Sequence, residues 1–156
     1  MMELWRKEAF AVIGLEGSSE DGPGFISRLW QEANAGFAQV EILAKHTEQG
    51  LLAGVWGAMT DLSRRFMPWE NGFSRGLYLA GVECREDAVP PAGWTRWEIP
   101  GFVYLRVKGG APDAFAAGLS LLEEQGHSLV GAVQEFTDPT TGIMYLCFPV
   151  ECLGEK

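Results

Sequence analysis

The chain has 156 residues, 47% of them hydrophobic and 21% charged, which suits one globular domain with a core of its own and excludes a disordered or low-complexity segment. A formal charge of −9, with twelve Lys and Arg scattered along the chain, argues against direct nucleic-acid binding, which needs clustered cations to displace counterions. No apolar run approaches the 18 residues of a membrane span, and MMELWRKEAF lacks the basic-then-apolar pattern of a signal peptide. Cys84, Cys147 and Cys152 are an odd number without metal-type spacing, so we expect reduced thiols, a cytoplasmic location, and neither metal nor cofactor.

In chain order, alternation over Ala9–Leu15 predicts a strand. Gly22-Pro23-Gly24 interrupts the chain, and Asp21 is the expected cap of a helix whose Ile26, Leu29, Trp30 and Ala33 share one face. Strands are predicted at about 52–60 and 76–84, separated by LSRRFMPWENGFSR (62–75). That insertion carries Phe66, Trp69 and Phe73, which makes it a candidate lid or rim, or else a loop packed over the end of the core. A strand pair follows near 94–99 and 101–109. Next comes a helix opened by Pro112-Asp113 and closed at Gly126, with Phe115, Gly118, Leu119 and Leu122 on one face. Strands at about 129–136 and 143–150, joined by the turn Asp138–Gly142, complete the chain. Alternation on 101–109 would turn Val103, Leu105 and Val107 toward the helix, and Phe102, Tyr104 and Arg106 toward a concave binding surface.

The same passage is written twice. ELWRKEAFAVIGLEG (3–17) matches TRWEIPGFVYLRVKG (95–109), pairing Trp5 with Trp97 and Phe10 with Phe102. GVWGAMTD (54–61) returns as GAVQEFTD (131–138), and LYLAGVEC, ending at Cys84, returns with one extra residue as MYLCFPVEC, ending at Cys152. The predicted architecture is α+β: a tandem strand–helix–strand–strand repeat (about 3–84 and 94–152) with pseudo-two-fold symmetry. Its antiparallel sheets form a central ligand groove within a single domain spanning 1–156.

On GLYLAGVEC (76–84), GWTRWEIPGFVYLRVKGG (93–110) and EFTDPTTGIMYLCFPVE (135–151), the chain resembles the GyrI-like effector-binding domain family, above all its stand-alone, integron-associated members. The likeness covers essentially the whole chain. It implies a groove between the halves that takes small, often cationic and aromatic molecules, in domains that commonly serve as sensors for an attached helix-turn-helix module. The family pattern puts an acid, any residue and an aromatic on the strand near 134. Here those positions read Gln134-Glu135-Phe136, so either Glu135 substitutes for the acid or the charge comes from elsewhere.

Candidate ligand-binding residues are the aromatics Trp30, Trp56, Tyr78, Tyr104 and Tyr145, for each of which core packing is the competing reading. To these are added Glu83, Gln134 and Glu135. A buried Glu83 or Glu135 would select cations; otherwise each is a surface carboxylate. Gly72-Phe73-Ser74-Arg75-Gly76 matches the G-x-S-x-G nucleophile elbow, but a loop before the serine and a strand after it are the wrong context. His46 and His127 have no evident acidic partner or metal-ligand company. The expected function is binding of an amphipathic, cationic aromatic molecule by a stand-alone effector or multidrug-binding protein linked to transcription regulation, without chemistry. The alternatives are a small hydrolase using a groove glutamate on an electrophile, or a protein-interaction modulator. Partners would be a small organic cation and either a second copy of the chain or a separate regulator, with no membrane and no direct nucleic acid.

Overall fold

The computed structural model describes residues 2–153; residue 1 and residues 154–156 of the expected domain lie outside the described residues. Runs of β-branched and aromatic residues in alternation form β1 (Met2–Lys7), β2 (Phe10–Ser18), β3 (Val55–Thr60), β4 (Leu77–Cys84), β5 (Thr95–Ile99), β6 (Phe102–Lys108), β7 (Gln134–Thr137) and β8 (Met144–Cys152). The helices are α1 (Phe25–Ala35), a single distorted turn α2 (Glu70–Phe73) and α3 (Ala114–Glu124). All strand pairs are antiparallel in one open sheet of order β1-β6-β8-β7-β3-β4-β2-β5. This is the predicted α+β class. β1 is an addition to the sequence reading, so each unit is strand–strand–helix–strand–strand.

The strand order reads the same from either end once the two repeats are exchanged, which is the pseudo-two-fold. The first strand of each repeat crosses over to edge the other half: β1 pairs with β6, and β5 with β2. The halves join at β3 and β7 through the pairs Val55–Thr137, Trp56–Phe136 and Gly57–Glu135. A two-fold normal to an antiparallel ladder relates residues on the same face, and a one-residue slip exchanges faces. Trp56 therefore corresponds to Gln134, both wholly buried on one face, and Gly57 corresponds to Glu135. The block match of 54–61 onto 131–138 is one residue out. Likewise Tyr78 corresponds to Leu146 rather than to Tyr145, while the Cys84 and Cys152 ends stay in register.

The sheet is strongly curved. Trp5 on β1 lies four strands from Trp56, about 19 Å in a flat sheet at roughly 4.8 Å per strand, yet their rings stack with centroids 6.1 Å apart. The concave face is thereby filled by its own side chains: Phe10, Trp56, Leu79, Trp97, Phe102, Tyr104 and Phe136 form one cluster. The Phe102–Tyr104 face, expected to be a concave binding surface, is this core. Helices α1 and α3 pack on the convex face. α1 joins Leu29, Trp30 and Ala33 to Ile13, Tyr78 and Ala80, and α3 joins Phe115, Leu119 and Leu122 to Leu105, Leu146 and Phe148.

Asp21 does not cap α1. It accepts from the Ser18 amide at 2.8 Å and closes a capping box around the short turn Ser19–Asp21, while α1 starts from Gly24. The Arg28 guanidinium covers this junction by donating to Pro23 O and Asp21 O at 3.0 and 3.2 Å. The expected strand at 129–136 shrinks to β7. Ahead of it, the Ala132 amide donates to Phe66 O in the 62–75 insertion at 2.8 Å and the Val130 amide to Pro149 O of β8 at 2.9 Å, so isolated bonds rather than a continuous ladder hold this stretch.

Candidate functional site

On the convex face, over the seam between the halves, lies a cavity of about 590 Å³. Its floor is Met59 of β3, Glu135 of β7, and Met144 and Leu146 of β8. Ile26 from the first turn of α1 and Phe115 from the first turn of α3 form opposite walls. Trp69, Gly72 and Phe73 of the insertion make the rim. Phe73 meets Phe115 edge-on at 5.0 Å, so a residue of the first repeat touches one of the second across the opening. Trp69 is seated by its indole donating to Leu77 O at 3.0 Å, above Gly76, where a Cβ would lie 2.1 Å from the indole. The two thioethers add deformable, polarizable surface that adapts to different guests.

Among the described residues, the one ionisable side chain lining this cavity is Glu135. Its Oε1 accepts a 2.6 Å hydrogen bond from the Tyr78 hydroxyl, which accepts one from Trp30 Nε1 at 2.9 Å. Gly57, the cross-strand and symmetry partner of Glu135, makes room for this arrangement. A Cβ there would sit 2.1 Å from the Tyr78 hydroxyl oxygen and 2.5 Å from Glu135 Oε1. Burial pushes the Glu135 carboxyl above its ordinary value, and the bond from Tyr78 offsets part of that rise. The Tyr78 phenol is raised by burial and by the adjacent Glu135 charge, so it remains a donor. The result is an apolar bowl with one costly carboxylate and no fixed cation among its lining residues, an environment that favours a positively charged, hydrophobic guest.

The structure brings together three of the eight residues singled out from sequence: Trp30, Tyr78 and Glu135. The others lie elsewhere. Trp56 and Tyr104 are wholly buried in the concave core. Tyr145 packs against that core, with the Arg106 guanidinium 4.4 Å over its ring, while Trp5 lies 4.7 Å from the same guanidinium. Gln134 spends its amide on the backbone of Met59, accepting from the amide at 2.7 Å and donating to the carbonyl at 3.1 Å. It thus replaces the ladder where β3 and β7 part. Glu83 is paired with Lys7 at 3.1 Å and Lys45 at 3.6 Å at the concave edge, remote from the cavity. Sequence reasoning missed Met59, Met144 and Leu146 as lining residues. The one-residue error in the repeat match hid the signal, because it put Tyr145 in the place that belongs to Leu146.

No family model and no curated protein matches the chain. Solved structures do. The chain is similar to EcmrR as seen in its DNA complex (14% identity, TM-score 0.66), covering 98% of this chain but 58% of that one. It is similar to SAV2435 bound to tetraphenylphosphonium (16% identity, TM-score 0.57), over 97% of this chain and 94% of that one. It is also similar to an integron cassette protein from the mobile metagenome of Vibrio cholerae (16% identity, TM-score 0.52; 96% and 95% covered). The chain shares the fold of these proteins, which is the GyrI-like fold that its sequence resemblance implies.

Proposed function

We propose that the chain binds small amphipathic organic cations in the convex cavity, as an effector- or drug-binding protein linked to transcriptional regulation. The observation that carries this reading is Glu135, a carboxylate raised by burial on the floor of an apolar, aromatic-rimmed bowl at the pseudo-two-fold. Apolar burial supplies most of the affinity, and ionised Glu135 supplies the preference for positive charge. Tyr78 and Trp30 hold the carboxylate from behind. Support comes from the likeness to SAV2435, which has been solved with a lipophilic cation, and to EcmrR, which has been solved with DNA.

The test is calorimetric titration with tetraphenylphosphonium and with neutral triphenylphosphine oxide. Glu135→Gln is expected to weaken the cation about tenfold, or about 1.4 kcal/mol, and to leave the neutral compound unchanged. Equal affinity of the two compounds for the wild-type protein would sink the assignment of Glu135.

A second reading has one observation in its favour. A carboxyl raised by burial and hydrogen-bonded to a phenol is poised to act as a general base on water attacking a bound electrophile. In that case an activated ester would be turned over, and Glu135→Gln would abolish product while the ester still bound.

A further inference from the structure

Behind the cavity floored by Glu135 lies a second, smaller one of about 190 Å³, a partly open cleft between α1 and strands β2 and β4. Ile13, Ala33, Val40, Leu52, Ala80 and Trp94 are among its walls, and among the described residues Asn34 is the one with a polar side chain in its lining apart from two indoles. Both indole N–H groups are already engaged, Trp30 by Tyr78 at 2.9 Å and Trp94 by Gln39 Oε1 at 3.2 Å. Water in such an apolar cleft finds few of the two to four polar partners it needs, and an apolar cavity of about 150 Å³ is large enough to accept a benzene ring. This hollow therefore has the size and chemistry to hold one aryl ring or a short alkyl chain.

The two cavities follow one another along the same groove. On α1, Ile26 lines the outer one, and Trp30, one turn later, lines the inner. On β3, Met59 lines the outer and Val55 the inner, with Gly57 between them on the same face. The partition at Gly57 is the chain Trp30–Tyr78–Glu135, so the inner chamber begins two hydrogen bonds from the carboxylate. Trp30 is half-buried at the edge of the α1-side core, and its one side-chain hydrogen bond is to Tyr78, whose ring it meets edge-on.

We infer that the inner cavity is an apolar subsite of the same binding channel, with Trp30 as its door. The charged centre of the ligand, with any ring attached to it, fills the outer cavity at Glu135, Trp30 turns aside, and an alkyl arm enters between α1 and the sheet. This rests on the reading of Glu135 as the partner of a cation. It narrows the ligand class from cations in general to cationic amphiphiles with an arm a few carbons long.

The test compares phenyltrimethylammonium with its 4-methyl to 4-butyl homologues by calorimetry. Affinity is expected to climb about fourfold per methylene. Ala33→Leu, which fills the inner cavity without touching Glu135, should flatten the climb and leave the parent compound unaffected. In the wild-type protein, the butyl compound should shift the Trp30 indole N–H resonance and the parent should not. Binding of the parent without a climb, a climb untouched by Ala33→Leu, or equal resonance shifts would each overturn the subsite while leaving the Glu135 site standing. No binding of the parent would remove both.

Discussion

Glu135 and Gly57 occupy one position of the repeat twice over, and the asymmetry between them is chemical. Two carboxylates on the axis would repel each other, so one copy is reduced to a hydrogen atom and the other is aimed into the cavity. Because burial holds the Glu135 carboxyl above its ordinary value, there is a pH window in which the folded protein keeps a proton that the unfolded chain has released. Stability falls as pH rises through that window. A bound cation favours the ionised form, so its affinity rises over the same range and its binding expels a proton. Melting temperatures from pH 4 to 8 should therefore show wild type losing ground to Glu135→Gln as pH rises. A difference that stays constant with pH would mean that Glu135 is not the buried titrating group. At this scale the sequence was half legible. Tyr78 and Glu135 were visible as an aromatic and an acid on strands, but alternation alone could not say that Gln134, one residue away, answers backbone rather than ligand.

Among the elements, the 62–75 insertion is the one that only the first repeat has, and it is held by Asp61. Burial alone would lift the Asp61 carboxyl, but the amides of Arg65 and Met67 and the Thr60 hydroxyl outweigh it and hold the carboxyl low. The stability it contributes is present above the ordinary carboxylate range and lost as pH falls through its folded value. Arg64 adds a bidentate pair with Glu16, whose Oε1 also accepts from Trp97 at 2.8 Å. These anchors hold four non-glycine residues, Arg64, Phe66, Asn71 and Phe73, at φ values of 56 to 64°, a region that costs such residues free energy. Asp61→Ala is expected to cost about 1–3 kcal/mol in urea unfolding and to speed hydrogen exchange at Arg65 and Met67. Unchanged exchange at those amides would mean the loop is held by its aromatic contacts instead. The length and aromatic content of the loop were readable from sequence. Its seat on Phe115 was not, because that contact crosses between repeats.

For the whole molecule, curvature decides which surface is available. The sheet bends until Lys7 of β1 reaches Glu83 of β4, five strands away in the ladder, at 3.1 and 3.2 Å. Glu83 is thus a fastener of the fold, whereas Glu135 is the carboxylate of the cavity, bonded to Tyr78 but to no cation among the described residues. Glu83→Ala leaves Lys7 and Lys45 without their shared partner and is expected to lower stability by about 2 kcal/mol, less than for a fully buried pair because both lysines reach solvent. Its affinity for tetraphenylphosphonium should stay at the wild-type value. Loss of binding in Glu83→Ala with intact folding would instead return the cation site to the concave edge.

What the chain order of residues determined was local and periodic. Alternation set the strands, the i, i+3, i+4 spacing set the apolar faces of α1 and α3, and the doubled blocks showed two units related by symmetry. What the tertiary structure alone decided was which face of the sheet closes and which stays open. Period-2 patterning specifies that two faces differ, but not which way the sheet will bend; here bending filled the ring-rich side and left the helix side with the hollow. The one-residue offset across the β3–β7 seam, set by hydrogen-bond pairing between distant strands, then determined that Glu135 faces that hollow while Gln134 is spent on the backbone.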